Sequence, residues 1–216
     1  MADCNLQPDP NNSFMVDPVN LPKNIRAFVA IFPDVAVAKK LALLQTDLKK
    51  EIPGQNIRWT PPEQIHLTLQ FLGNIPGARI SEFQIALSNV AQHSLPFETR
   101  AETVGCFSNV ARPKILWVGL AGDGSVLLDL QNRLAGALEI LGIRREDTPF
   151  HPHLTLGRFG PMNFRERQCV SKAVGIRAGL SLGQWTVPKI DLMRSELSPG
   201  GARYQLLDSF ALGADR

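Results

Sequence analysis

The tetrapeptide His-Leu-Thr-Leu occurs twice in this chain, at residues 66–69 and 153–156, although the chain has four histidines in all. In an extended strand, side chains at i and i+2 share a face. His66 and Thr68 therefore project together, as do His153 and Thr155, while Leu67, Leu69, Leu154 and Leu156 face the other way into apolar packing. Each word offers an imidazole beside a hydroxyl on a leucine-backed strand. If the two strands face each other across a cleft, the four groups converge on one volume suited to a phosphodiester. A neutral imidazole takes a proton from the attacking oxygen, and a protonated one delivers a proton to the leaving oxygen. An ordinary histidine pKa of about 6.5 lets both forms coexist near neutral pH. The threonine hydroxyls can donate to non-bridging phosphate oxygens, where negative charge builds in the transition state. This chemistry calls on no metal and no other cofactor.

Two rival readings use the same residues. A lone strand histidine is most simply a hydrogen-bonded core group, but buried polar groups need partners, and chance rarely duplicates such an arrangement with matching flanks. Zinc is the other rival: His151 and His153 share a strand face and His66 would be a third ligand. No carboxylate or thiolate stands at ligand spacing to support it, and both threonines would be left without a role.

The elements that must carry these words are legible as an alternation of strands and helices. "IRAFVAIF" (25–32) reads as a buried strand. Pro33 and Asp34 open a helix whose Val37, Leu41, Leu44 and Leu48 form one apolar face. "NIRWTPPEQ" is a short extended piece, and "HLTLQFLG" is a strand stopped by Gly73 and Pro76. A helix is expected over 78–92, with Ile80, Phe83, Leu87 and Val90 as its core stripe. "PFETRAETVG" and "KILWVGL" read as strands around a loop at 105–113, and a helix follows over 124–142. "FHPHLTLGRF" is a strand, 163–175 a helix, and "WTVPKIDLMRSEL" with "RYQLLDSFAL" a closing hairpin around "SPGGA". The order predicts an α/β fold with mostly antiparallel sheets in two lobes. The two words lie 87 residues apart, which reads as weak internal duplication.

Composition bounds the remaining possibilities. The 216 residues are 44% hydrophobic and 20% charged, an ordinary globular balance. A net charge of +3 fits a polyanionic partner without requiring one. Cys4, Cys106 and Cys169 are odd in number and widely spaced, which argues against a disulfide framework and for a reducing compartment. No apolar run approaches a membrane span, and the start lacks a signal-peptide pattern, so a cytoplasmic protein is expected. Residues 1–24 read as a flexible leader preceding one bilobal domain over 25–216, and Met15 offers an alternative start.

With both words flanked as they are, the chain resembles the 2H phosphoesterase superfamily. Within it, the chain is similar to the bacterial and archaeal RNA 2′,3′-cyclic phosphodiesterases, also called 2′-5′ RNA ligases. The resemblance runs from about residue 25 to 212. It rests on "RAFVAIFP", "IRWTPPEQIHLTLQFLG", "PKILWVGL", "FHPHLTLGRF" and "SELSPGGARYQLLDSFAL". It implies a bilobal fold with two mostly antiparallel sheets, outer helices and a pseudo-twofold cleft. It also implies metal-independent hydrolysis of RNA 2′,3′-cyclic phosphate ends to 2′-phosphomonoesters. Carried over to this chain, His66 would be the general acid at the leaving O3′ and His153 the general base for water. Thr68 and Thr155 would hold the phosphate. ATP-independent 2′-5′ joining would use the same two histidines.

Other activities stay open: hydrolysis of small cyclic nucleotides or 2′-5′ oligonucleotides, or nucleotide binding without turnover. The partners expected are RNA ends or cyclic-phosphate nucleotides, with no membrane and no obligate protein partner, and the protein is expected to be a monomer. Arg158 falls on the face opposite His153 unless Gly157 introduces a bulge; it is either a phosphate or ribose contact or a surface ion pair. Trp117 and Phe71 read as core, with base stacking the minor reading. Tyr204 reads as packing, with a reach into the cleft the minor reading, and His93 as a solvent-exposed residue or helix-end cap. Arg112, Lys114, Arg165 and Arg167 are candidates for a basic rim along an RNA backbone.

Overall fold

Nine strands and four helices follow from this pattern in the computed structural model, which describes residues 22–52, 56–109, 111–198 and 201–213. The expected leader lies outside the described residues up to position 21, as do Pro199 and Gly200 of the "SPGGA" segment. The strands are β1 (Asn24–Ile31), β2 (Ile57–Trp59), β3 (Leu67–Pro76), β4 (Phe97–Phe107), β5 (Ile115–Gly122), β6 (His153–Phe159), β7 (Ser181–Val187), β8 (Lys189–Ser198) and β9 (Gly201–Ala211). The helices are α1 (Val35–Glu51), α2 (Ile80–Gln92), α3 (Gly124–Ile140) and α4 (Phe164–Gly175). No described helix is long and apolar enough to cross a membrane.

Local chemistry explains where the helices begin. The Asp34 side chain accepts from the Val37 N–H at 2.7 Å, satisfying a free donor at the start of α1. Asn163 and Glu166 form a reciprocal capping box on α4. Helix α1 buries the four predicted apolar residues, and Gln45 with them.

The strands run β7-β4-β5-β6-β3-β1-β8-β9, every pairing antiparallel, with β2 added against β6. The two expected sheets are therefore two half-sheets, and β3 and β6 join them through one residue pair, Leu67 with Leu154. These are equivalent residues of the two words. The local twofold of the duplication thus passes between them. Both leucines are fully buried against the helices. Helices α1 and α4 lie towards β7 and β4, and α2 and α3 towards β9, β3 and each other, leaving the opposite face of the central strands open.

Two expectations about strand ends are corrected. "WTVPKIDLMRSEL" is two strands: Val187 closes β7 beside β4, and Lys189 opens β8 beside β1. Pro188, which has no N–H for a ladder, stands where the chain passes from one half-sheet to the other. Gly73 does not stop β3. It adopts a φ of +68°, which glycine tolerates without a Cβ clash, and pairs with Ala27 as the ladder continues to Pro76.

Candidate active site

The Leu67–Leu154 pair fixes the site. On the face opposite these leucines, the flanking residues of each strand point into the cleft: His66 and Thr68 from β3 and its lead-in, His153 and Thr155 from β6. Antiparallel continuation of that register puts His66 across from Thr155 and His153 across from Thr68. The two imidazoles then lie on the diagonal, with roughly 7–8 Å between their backbones. All four line one cavity of about 380 Å³.

Both rings are held alike. His66 Nδ1–H donates to the Gln64 carbonyl at 2.7 Å, and His153 Nδ1–H donates to the His151 carbonyl at 2.7 Å. In each case the acceptor lies two residues upstream, so the same tautomer is set twice and each Nε2 is left for chemistry. His66 Nε2 is 3.1 Å from Thr68 Oγ1. His66 also stacks on Phe28 with ring centroids 4.9 Å apart, and meets the edge of Tyr204 at 5.2 Å. The edge of Phe107 meets His153 at 4.6 Å.

This apolar setting depresses the basicity of both rings. Burial, aided by the charges of His153 and Arg158, lowers the His66 pKa to about 4, against the pull of its carbonyl hydrogen bond. Burial also lowers that of His153, with Arg158 and His151 contributing. Without an anion beside them, both are therefore neutral near pH 7.

Beyond each word, a β-bulge turns the next side chains. In β6, Trp117 pairs with Thr155 and Leu116 with Gly157, so Leu156 is an extra residue. Both Leu156 and Gly157 face the core, and Arg158 returns to the cleft. The open alternative for Arg158 thus resolves to the cavity. In β3, Thr68 pairs with Ala30 and Gln70 with Val29, so Leu69 is the extra residue. Phe71 consequently faces the cleft and is 46% exposed, which corrects its expected place in the core. Phe71 and Arg158 each stand five residues after their histidine, and are equivalents under the twofold.

Gln45 of α1, 1% exposed, braces β6 behind the site. Its Nε2 donates to the Thr60 carbonyl at 2.7 Å and to the Leu156 carbonyl of the β6 bulge at 3.0 Å.

None of Arg112, Lys114, Arg165 and Arg167, the residues expected at a basic rim, lines the cavity, and Arg167 donates to the Met162 carbonyl. Among the described residues, the cavity's cations are Arg26, Arg58 and Arg158. Arg58 and Arg158 are direct partners across β2 and β6, an arrangement of like charges that disfavours the pair unless an anion lies between or near them. No carboxylate is among the described residues lining the cavity. Arg26 and Arg58 escaped the sequence reading, though "IRWT" and "IRAF" both place arginine at an alternating, outward strand position. Tyr204 both packs and reaches the cleft: it lines the cavity and meets the Phe28 ring at 5.0 Å and the His66 ring at 5.2 Å. His93 ends α2 with Nδ1–H donating to the Asn89 carbonyl, as a cap would. Cys106 and Cys169 are unpaired, and burial pushes the Cys106 thiol up to about 12, far from a reactive thiolate.

A twofold pair of histidine–threonine words in an arginine-lined cleft, on two joined antiparallel half-sheets, defines a two-histidine phosphoesterase architecture. The chain belongs to the LigT-like phosphoesterase family, whose pattern it matches over residues 31–117 and 120–204. It is 32% identical over 187 residues to the RNA 2′,3′-cyclic phosphodiesterase of Archaeoglobus fulgidus, covering 86% of this chain and 99% of that one. It is 31% identical over 193 residues to the enzyme of the same name from Thermus thermophilus, covering 87% and 90% respectively. Among solved structures, a Thermus thermophilus protein superposes with a TM-score of 0.73 at 29% identity, covering 89% of this chain and all of that one. Escherichia coli LigT complexed with 3′-AMP shares the fold, with a TM-score of 0.66 at 24% identity over 88% of this chain and 98% of that one.

Proposed function

We propose that this protein hydrolyses the 2′,3′-cyclic phosphate at an RNA 3′ end, leaving a 2′-phosphomonoester and a free 3′ hydroxyl. The observation that carries this reading is the pair of carbonyl-anchored imidazoles, each with a threonine, in a cavity whose described residues include three arginines and no carboxylate. The names of the relatives agree with it.

In the reaction, His153 Nε2 takes a proton from water as the water oxygen bonds to phosphorus. The P–O3′ bond breaks, and His66 Nε2–H protonates O3′. Thr68, Thr155 and Arg158 hold the non-bridging oxygens as charge accumulates there. Because His66 is neutral without an anion beside it, its role as acid depends on the substrate. An anionic phosphate beside the ring favours its protonated form, and the proton is taken up on binding. Every proton transfer and every countercharge in this scheme comes from a side chain in the cavity, so no metal is called on.

The direct test incubates EDTA-treated protein with a short RNA ending in a 2′,3′-cyclic phosphate. The expected product is the 2′-phosphate, formed at an undiminished rate in chelator. Formation of a 3′-phosphate, or loss of activity in EDTA that zinc restores, would overturn the reading.

A further inference from the structure

Beside the histidine cavity, the cleft floor continues across two more strands. Trp117 of β5 is the ladder partner of Thr155, and Gly119 is the partner of His153. On the far side of β5, Trp117 pairs with Gly105 of β4. Trp117 therefore stands on the same sheet face as the histidine–threonine pair, one strand away.

Glycine at 105 decides how the indole lies. A Cβ there would sit 2.3 Å from Trp117 Cη2 and Cζ2, far inside contact distance, and one at Gly119 would sit 3.3 Å from Cζ3. The ring lies flat over these two glycines rather than standing up from the sheet. Above it is a separate hollow of about 340 Å³, walled by Phe107, His151, Pro152 and Thr103 and open to His153. Phe107 is tilted against the indole, with centroids 5.4 Å apart.

Thr103, at the rim, holds a φ of 61°, a left-handed conformation that a β-branched residue ordinarily avoids. Its N–H donates to the Leu180 carbonyl at 2.8 Å and its hydroxyl to the Ala178 carbonyl at 2.9 Å, so the strained turn is braced from β7's lead-in. A tryptophan whose only task was to fill the core would not need its own strand face cleared of side chains on one side and left open on the other.

We infer that Trp117 is a stacking platform for the base of the terminal nucleotide, the one bearing the cyclic phosphate. The hollow is lined by His153, and Trp117 is the ladder partner of Thr155, the pair between which that phosphate sits under the proposed function, on which this inference rests. Stacking is tolerant of base identity, because every base presents a π-face. The platform would give the enzyme a preference for base-bearing ends without a preference among the four bases.

The test compares kcat/KM for two RNA trinucleotides ending in a 2′,3′-cyclic phosphate, one natural and one in which hydrogen replaces the terminal base. The wild-type protein should favour the natural substrate by roughly tenfold or more, the usual scale of one stacked base. Trp117→Ala should bring that ratio close to one, and Trp117→Phe, which keeps an aromatic face, should retain most of it. Because the ratio is taken within one protein sample, partial loss of folded protein cancels. A wild-type ratio of one, or a ratio unchanged in Trp117→Ala, would overturn the platform while leaving the hydrolytic function standing. Hydrolysis of neither substrate by the wild-type protein would instead sink the proposed function, and the platform with it.

Discussion

At the scale of single residues, the two site histidines share a restraint and differ in setting. Both give Nδ1–H to a carbonyl two residues upstream. His66 is the more enclosed, stacked on Phe28 and edged by Tyr204, and its pKa of about 4 is the consequence. That depression has a thermodynamic reading. Between pH 6.5 and 4, the unfolded chain binds a proton at this position that the folded chain refuses, so folded stability falls as pH is lowered through that window. Urea denaturation at stepped pH should show the fall, and His66→Gln should flatten it. Inorganic phosphate should shrink the fall, because an anion beside the ring raises its pKa in the folded state. A slope identical in both proteins would mean that the ring is not held neutral. The same residue scale explains what the sequence could reveal. Types and spacing of His66, Thr68, His153 and Thr155 were readable because strand alternation is strict within one word. Arg26 and Arg58 were not, because an outward arginine in a strand has the same pattern whether it meets solvent or a cleft.

At the scale of elements, the bulges carry the information that alternation cannot. Counting by twos from His66 puts Phe71 in the core, and from His153 it puts Arg158 on the wrong face. The extra residue just after each word, Leu69 in β3 and Leu156 in β6, reverses both assignments. Gly157 was a visible clue in β6. It is buried, and a Cβ there would press on Ile57 at 3.1 Å and the Arg58 carbonyl at 3.3 Å, so glycine lets β2 close against the bulge. Nothing comparable marks Leu69 in β3. The β6 bulge is secured from behind by Gln45, whose amide reaches the Leu156 and Thr60 carbonyls. Gln45→Leu keeps the bulk and removes the donor. It should lower stability by about 1–3 kcal/mol through the unsatisfied Thr60 carbonyl. It should also reduce kcat more than it raises KM, because Thr155 and Arg158 flank the loosened bulge. Equal loss in a remote destabilised variant of matched stability would show that Gln45 acts through folding alone.

At the scale of the whole molecule, the duplication is the organising fact. The two words read as internal duplication and the family resemblance implied a pseudo-twofold cleft; the fold pairs equivalent leucines at the junction of the half-sheets. The alternation of elements was legible because each helix carries one apolar face and each strand a β-rich run. The exchange between halves at Pro188 was not, since "WTVPKIDLMRSEL" reads as one continuous strand unless the proline is taken as a ladder break. That Arg112, Lys114, Arg165 and Arg167 do not line the cavity has a related reason: sequence locates charges on loops but not the direction those loops take. The cations that the cavity uses come from strands of both halves, Arg26 from β1 and Arg58 and Arg158 from β2 and β6.

The central claim is that these two imidazoles act from opposite sides of one phosphorus atom, one as base and one as acid. Cleavage of a cyclic-phosphate RNA whose bridging 3′ oxygen is replaced by sulfur tests it most directly, because a thiolate leaves without needing a proton. His66→Ala and His153→Ala should each slow the oxygen substrate by about 10²-fold or more. The sulfur substrate should restore most of the rate to His66→Ala and little to His153→Ala. Equal rescue of both variants, or near-wild-type turnover of the oxygen substrate by either, would contradict the account.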